Sequence, residues 1–265
     1  MKAMKICRDP AQWKPVRNPV VTVGSYDGVH CAHRSIIDLL NRQAAALGGE
    51  SVLISFSPHP RMVLQGEEAF RKHFRLLTTD TEKEALLAAA GLRNLLVLHF
   101  DADFAAMPAE RFVREILVER LQVRRMIIGF NHNFGHDRQG GYAQMSAWGE
   151  QYGFAVERYP EYTVDGEAVS SSQVRRLLQA GRVESANRLL GYPYFINGAW
   201  HQDVFEASSK FKLKPAPGHY LTKVKVRNRY YYTVARIEED IRFDDLPFLQ
   251  EGDEIKVRFL KEISL

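Results

Sequence analysis

Two imidazoles, His30 and His33, stand three residues apart in a run that also carries Gly24, Asp27 and Gly28. On a helical turn, side chains at i and i+3 point the same way. Glycines on the approach allow a tight turn and let a ligand come close to the backbone. A helix start adds free N–H groups and the positive end of a dipole, both of which attract phosphate. Neutral donors beside such a cradle suit the charge that develops when a nucleophile attacks phosphorus. The run therefore outlines a site for handling nucleotides. Cys31 lies between the two histidines and invites a zinc reading. No C-x-x-C or H-E-x-x-H partner accompanies them, so no metal ligands are assigned.

The flanking pattern must position these groups. Val20, Val21, Thr22 and Val23 form a β-branched run that reads as a buried strand. Ile36, Ile37, Leu40, Ala44 and Leu47 then recur at helical spacing, and Gly48-Gly49 supplies a stop. The histidines thus sit where a strand hands over to a helix. Residues 51–56 form a second apolar strand that ends in Ser57-Pro58-His59-Pro60-Arg61. Its two prolines stiffen the exit and fix where His59 and Arg61 project. Residues 71–81 read as a polar, basic flap or loop. Thr79 to Glu82 is a capping-box pattern, and Leu86, Leu87 and Ala90 line the helix it starts.

Further strands fall at residues 95–98, 126–128 and 154–159. Pro108 opens a helix with a stripe of Phe112, Val113, Ile116, Leu117 and Leu121. Strands alternating with helices imply a parallel, doubly wound α/β sheet, whose ligands bind outside the carboxyl ends of the strands. Residues 129–141 leave such an end as a loop rich in glycine and polar side chains. Within it Asn131 suits a ribose or base edge, while His136 and Arg138 suit phosphates. Ser170, Ser171 and Ser172 precede Arg175 and Arg176 at another helix start. They serve either as a plain cap or as a second phosphate cradle in which Arg175 neutralises a departing pyrophosphate.

Three of these stretches together resemble one known family. The run from Gly24 to His33 is similar to the G-x-F-D-G-x-H-x-G-H signature of the bacterial FAD synthetases, the bifunctional riboflavin kinase/FMN adenylyltransferases of the H-x-G-H nucleotidyltransferase superfamily. The loop from Gly129 to Gly135 resembles their G-x-[DN]-F-x-F-G segment, with His132 in place of the usual aromatic. Ser171, Ser172 and Arg175 map onto S-S-T-x-I-R, and Pro58-His59-Pro60 onto a P-H-P segment. The resemblance implies that His30, His33 and Arg175 act in catalysis, and that Gly24, Tyr26, Asp27, Gly28, Asn131, Ser171 and Ser172 hold ATP. It also implies that His59, Pro60, Arg61 and Arg138 line the flavin substrate. The activity implied is AMP transfer from ATP, with Mg²⁺ on its phosphates, to FMN, giving FAD and pyrophosphate. One departure stands inside the signature: Ala32 occupies a family glycine position.

Gly191-Tyr192-Pro193 breaks the last helix, and residues 191–265 change to short alternating strands, a small antiparallel β domain. The expected domains are therefore a nucleotidyltransferase domain at 1–190 and a β domain at 191–265. The latter resembles a remnant of the family's riboflavin kinase barrel. Residues 199–212 lack its P-T-x-N residues, which implies that kinase activity is lost. Two other readings remain: transfer to a different phosphate-bearing acceptor, or an inactive paralogue that binds flavin nucleotide.

The 265 residues are 45% hydrophobic and 26% charged, with a net charge of +4. That mild excess fits small anionic ligands and does not indicate a nucleic-acid binder. Two cysteines in separate elements form no disulfide framework. Neither a signal peptide nor a membrane span is legible. The expectation is a soluble cytoplasmic enzyme acting on small molecules, its oligomeric state open.

Overall fold

The computed structural model describes residues 3–130 and 141–263. Contacts divide the chain into two compact units: Met1–His73 with Asp80–Tyr162, and Phe74–Thr79 with Thr163–Leu265.

The first unit contains β1 (Lys5–Cys7), β2 (Val20–Val23), α1 (Cys31–Ala46) and β3 (Ser51–Ser57), then α2 (Pro60–Gln65), α3 (Glu67–His73) and α4 (Asp80–Ala89). It continues through β4 (Asn94–His99), α5 (Ala102–Ala105) and α6 (Ala109–Phe112), and a π-helical stretch, Val113–Arg120, extends α6. β5 (Arg125–Ile128), α7 (Tyr142–Tyr152) and β6 (Ala155–Arg158) complete it. Six parallel strands lie in the order β1-β4-β3-β2-β5-β6. Their period-2 alternation sorts side chains to two faces. Val20, Leu53, Leu95 and Ile127 pack with Ile36, Ile37, Leu40 and Leu87 of α1 and α4. Val21, Ile54, Leu96 and Met126 pack on the opposite face with Phe112, Leu117, Met145 and Trp148. Helices thus cover both faces, as the alternating pattern requires.

The order of strands reverses at β2, which pairs with β3 on one side and β5 on the other. In open α/β sheets that reversal opens a crevice at the carboxyl ends, and ligands bind there. The residues that leave β2 are those of the histidine run.

The second unit begins with the short hairpin of β7 (Thr163–Val164) and β8 (Glu167–Ala168), followed by α8 (Ser171–Gln179) and α9 (Val183–Leu190). β9 (Phe195–His201), β10 (Val204–Ala207), β11 (Gly218–Val226), β12 (Arg229–Ile237), β13 (Ile241–Phe243) and β14 (Glu254–Ile263) close into an antiparallel barrel in the order β10-β13-β12-β11-β14-β9. The expected small antiparallel β domain is present. The boundary expected at 190/191 differs from the division by contacts at Tyr162/Thr163, and the reason is packing. Val174, Leu178, Val183, Ala186 and Leu190 bury their apolar faces among Tyr194, Tyr220, Val224 and Phe259, so α8 and α9 share one core with the barrel.

Leu190 is fully buried there. Replacing it with alanine is expected to cost about 2–5 kcal/mol, the usual range for a buried leucine truncated to leave a cavity. Denaturant unfolding followed by barrel tyrosine fluorescence measures that loss.

Candidate functional site

The strand-to-helix passage after β2 is built to hold two imidazoles. Tyr26, Gly28 and Val29 all take positive φ, at 49°, 86° and 35°. Only the glycine adopts such a conformation cheaply, and a β-branched residue there is a genuine outlier. Strain of this kind persists where surrounding structure over-determines it, and it clusters at functional sites. Two contacts supply that restraint: Tyr26 donates its hydroxyl to Thr22 Oγ1 at 3.3 Å, and Thr22 Oγ1 donates to the Ile127 carbonyl at 2.8 Å. A side-chain chain thus ties the turn to both β2 and β5. Thr22 escaped notice in the sequence because a threonine in a β-branched run reads as strand filler. Gly24 has a local reason to lack a Cβ: one built there meets the Tyr26 ring at 3.0 Å.

His30 is buried and caps α1, its Nδ1 accepting the His33 backbone N–H at 3.4 Å. A neutral His30 that accepts at Nδ1 carries its proton on Nε2. The His33 ring lies parallel to that of His30, with centroids 3.6 Å apart, and stacks on Tyr26 at 4.3 Å. His33 is therefore the middle layer of a three-ring stack. Burial, and second the proximity of His30, push its pKa well below the usual imidazole value. It is neutral at physiological pH. Its Nδ1 is buried with no hydrogen-bond partner, an orphan polar atom of the sort that calls for a functional explanation. Asp27 is buried in the same turn, and the Ala32 methyl falls in the first turn of α1, partly exposed.

His59, Pro60 and Arg61 leave β3 at the same carboxyl edge of the sheet. His59 caps α2, its Nδ1 accepting the Arg61 N–H at 3.2 Å, and Pro60 takes the first helical position. The sequence showed the rigid exit but not the short helix it starts. Asn131 and Arg138 lie outside the described residues. Among those described, no group of three or more His, Cys, Asp or Glu side chains is placed to hold a metal ion.

Ser171, Ser172 and Arg175 belong to the second unit, in the first turns of α8. Ser170 is the cap: its Oγ accepts the Gln173 N–H at 3.2 Å, which leaves the hydroxyls of Ser171 and Ser172 outside that role. Arg175 is 8% exposed. Its Nε donates to the Arg75 carbonyl at 2.7 Å, and its guanidinium lies 3.9 Å above the Phe74 ring. Both contacts come from the 71–81 stretch, whose composition predicts a polar flap. A hundred residues of sequence separation hid that partnership.

The family model for FAD synthetase matches residues 13–173. A bifunctional riboflavin kinase/FMN adenylyltransferase of Pseudomonas fluorescens is 33% identical over 83% of this chain and 73% of its own length. An FAD synthetase of Listeria monocytogenes is 30% identical over 81% of this chain and 85% of its own. Among solved structures, one titled a macrolide-efflux protein from Streptococcus pneumoniae superposes with a TM-score of 0.86 at 21% identity, covering 99% of this chain and all of that one. At that identity the likeness speaks for the fold. No helix among the described residues is long and apolar enough to cross a membrane. With a matched span that runs from before β2 into α8, the chain belongs to the FAD synthetase family.

Proposed function

We propose that the protein is an FMN adenylyltransferase, which joins FMN and ATP into FAD and pyrophosphate. The observation that carries this reading is the stacked His30–His33 pair at the switch point of the sheet, in a chain of the FAD synthetase family. A phosphate oxygen of FMN attacks the α-phosphorus of ATP in line. The bond from that phosphorus to the β-phosphate oxygen breaks, and pyrophosphate leaves without a covalent enzyme intermediate.

His30 and His33 donate hydrogen bonds to α-phosphate oxygens and stabilise the charge gathering there, at no cost of reorganisation. Gly24, Tyr26, Asp27, Gly28 and Asn131 hold the rest of ATP. Ser171, Ser172 and Arg175 take the oxygens of the leaving pyrophosphate. His59, Pro60, Arg61 and Arg138 line the flavin. Mg²⁺ bound with the nucleotide would supply charge neutralisation at the phosphates. The transferase function occupies residues 1–190, in a cytoplasmic setting, and the barrel at 191–265 is a kinase remnant without turnover.

The test is one incubation of the purified chain with ATP, Mg²⁺ and either FMN or riboflavin, with flavins resolved chromatographically. FMN should yield FAD with one pyrophosphate per FAD, and riboflavin should yield nothing. FMN made from riboflavin would overturn the loss of kinase activity. Absence of FAD would overturn the transferase reading. Ala32, standing where the family signature has glycine, favours one rival: a chain that binds flavin nucleotide without turning it over. Its mark is FMN binding with no pyrophosphate release.

A further inference from the structure

A second surface, on the outside of the barrel, is unrelated to the histidine pair. The register across β12, β11 and β14 places Tyr232 opposite Lys223, and Lys223 opposite Arg258. One step along, Tyr230 faces Lys225 and Lys225 faces Lys256. Alternate residues of these strands, Val224, Val226, Val257 and Phe259, are buried, so the six named side chains share the outer face. Two rows result, each with one tyrosine and two cations. Tyr230 is 50% exposed and Tyr232 65%.

Stability alone does not favour this arrangement. Like charges directly opposite on paired strands are destabilising, and Lys223–Arg258 and Lys225–Lys256 are two such pairs. Two carboxylates near the rows are engaged with other arginines. Asp253 pairs with Arg227 at the hairpin end, and Asp244 pairs with Arg236 further along β12. Aromatic rings offer the cations partial compensation: Lys223 Nζ is 4.7 Å and 5.5 Å from the Tyr230 and Tyr232 centroids, and the Arg258 guanidinium is 5.6 Å from Tyr230. Nη1 of Arg258 is nevertheless buried with no hydrogen-bond partner. A net charge of +4 averages this face away, which is why composition gave no hint of it.

We propose that this face of the barrel binds single-stranded nucleic acid. Two exposed rings two residues apart on one strand are platforms for unpaired bases, and cations on the neighbouring strands track a phosphate backbone. Duplex bases are already stacked on each other and offer no free face to such platforms. An acidic peptide would match the charge but leave the rings without a role.

The experiment is fluorescence anisotropy of the full chain with a fluorescein-labelled 12-nucleotide oligouridine, against a duplex of equal length. Single strand should bind at least tenfold more tightly than duplex. With four phosphates neutralised, affinity should fall roughly 50-fold between 50 and 200 mM salt. Tyr230→Ala with Tyr232→Ala should weaken binding about tenfold or more and leave the salt slope unchanged. Lys223→Glu with Lys225→Glu should weaken it and flatten the slope. Both variants alter an outer face, so FAD synthesis and thermal unfolding should stay as in the parent and show that the chain is folded. No binding at 50 mM salt, equal affinity for duplex, or tyrosine variants of unaltered affinity would each overturn the proposal. Binding to phosphatidylserine vesicles but not to oligouridine would assign the face to membranes instead and overturn it as well.

Discussion

Replacing His33 with alanine is expected to lower the turnover of FAD synthesis by on the order of 10²–10³, the usual loss when one preorganised donor to a developing charge is removed. The alanine variant also removes the middle ring from the stack with Tyr26 and His30, so some stability goes with it. His33→Phe separates the two effects. Phenylalanine refills the stack, and it replaces a buried Nδ1 that has no partner, a change that is neutral or stabilising when the lost polar group was unpaired. Its melting temperature should match or exceed that of the parent while turnover falls as far as in the alanine variant. A phenylalanine variant with parental kcat would remove His33 from the reaction. pH supplies an independent check. The folded pKa of His33 lies below its unfolded value, because of burial first and His30 second. The unfolded chain therefore takes up a proton that the folded chain refuses, once pH drops below about 6.5. Stability tied to this group is complete above that pH and is lost as pH falls through the depressed folded value. The fall in melting temperature from pH 7.5 to 5.5 should be shallower for His33→Phe than for the parent.

Much of this architecture could be read in advance because local and global signals agree. The β-branched run at β2, the apolar stripe of α1 and the serines before α8 each declare their element within a dozen residues. What stayed hidden depends on distant partners. β1 is three residues long, with a lysine and a cysteine around Ile6, and is a strand because Asn94–Leu96 of β4 pair with it. β10 and β13 join at a single residue pair, Phe205 with Ile241, and close the barrel with too few residues to show a period. α2 lies where two prolines suggest only a rigid turn, and α3 ends inside the 71–81 stretch that reads as a flap. The amphipathic faces of α8 and α9 are plain in the sequence, but not the core they cover. In the site, the imidazole spacing was legible, whereas the ring stack and the Tyr26–Thr22 tie were not. Both follow from positive-φ backbone at non-glycine residues, which carries no sequence signature.

Arg175→Lys should reduce kcat by on the order of 10², an effect placed on the leaving group and not on flavin binding. The guanidinium is immobilised before any ligand arrives: Nε donates to the Arg75 carbonyl, and the plane lies against Phe74. A planar fork fixed in this way presents donors to phosphate oxygens in a set direction, whereas an ammonium on a flexible stem is a point charge. Lysine can reach the carbonyl or the phosphate, but it does not span both. KM for FMN should hold near the parental value while kcat falls, since the role proposed for the arginine is at the pyrophosphate end of ATP. A purely structural arginine would behave differently. Its loss would strand the Arg75 carbonyl, at about 1–3 kcal/mol if that group stays dry, and would lower stability without splitting kcat from KM. Phe74→Leu adds the deciding arm, because it leaves the charge in place and removes only the ring beneath it. If orientation is what matters, Phe74→Leu loses turnover while still binding ATP. If charge alone suffices, it keeps full turnover and the positioning argument fails.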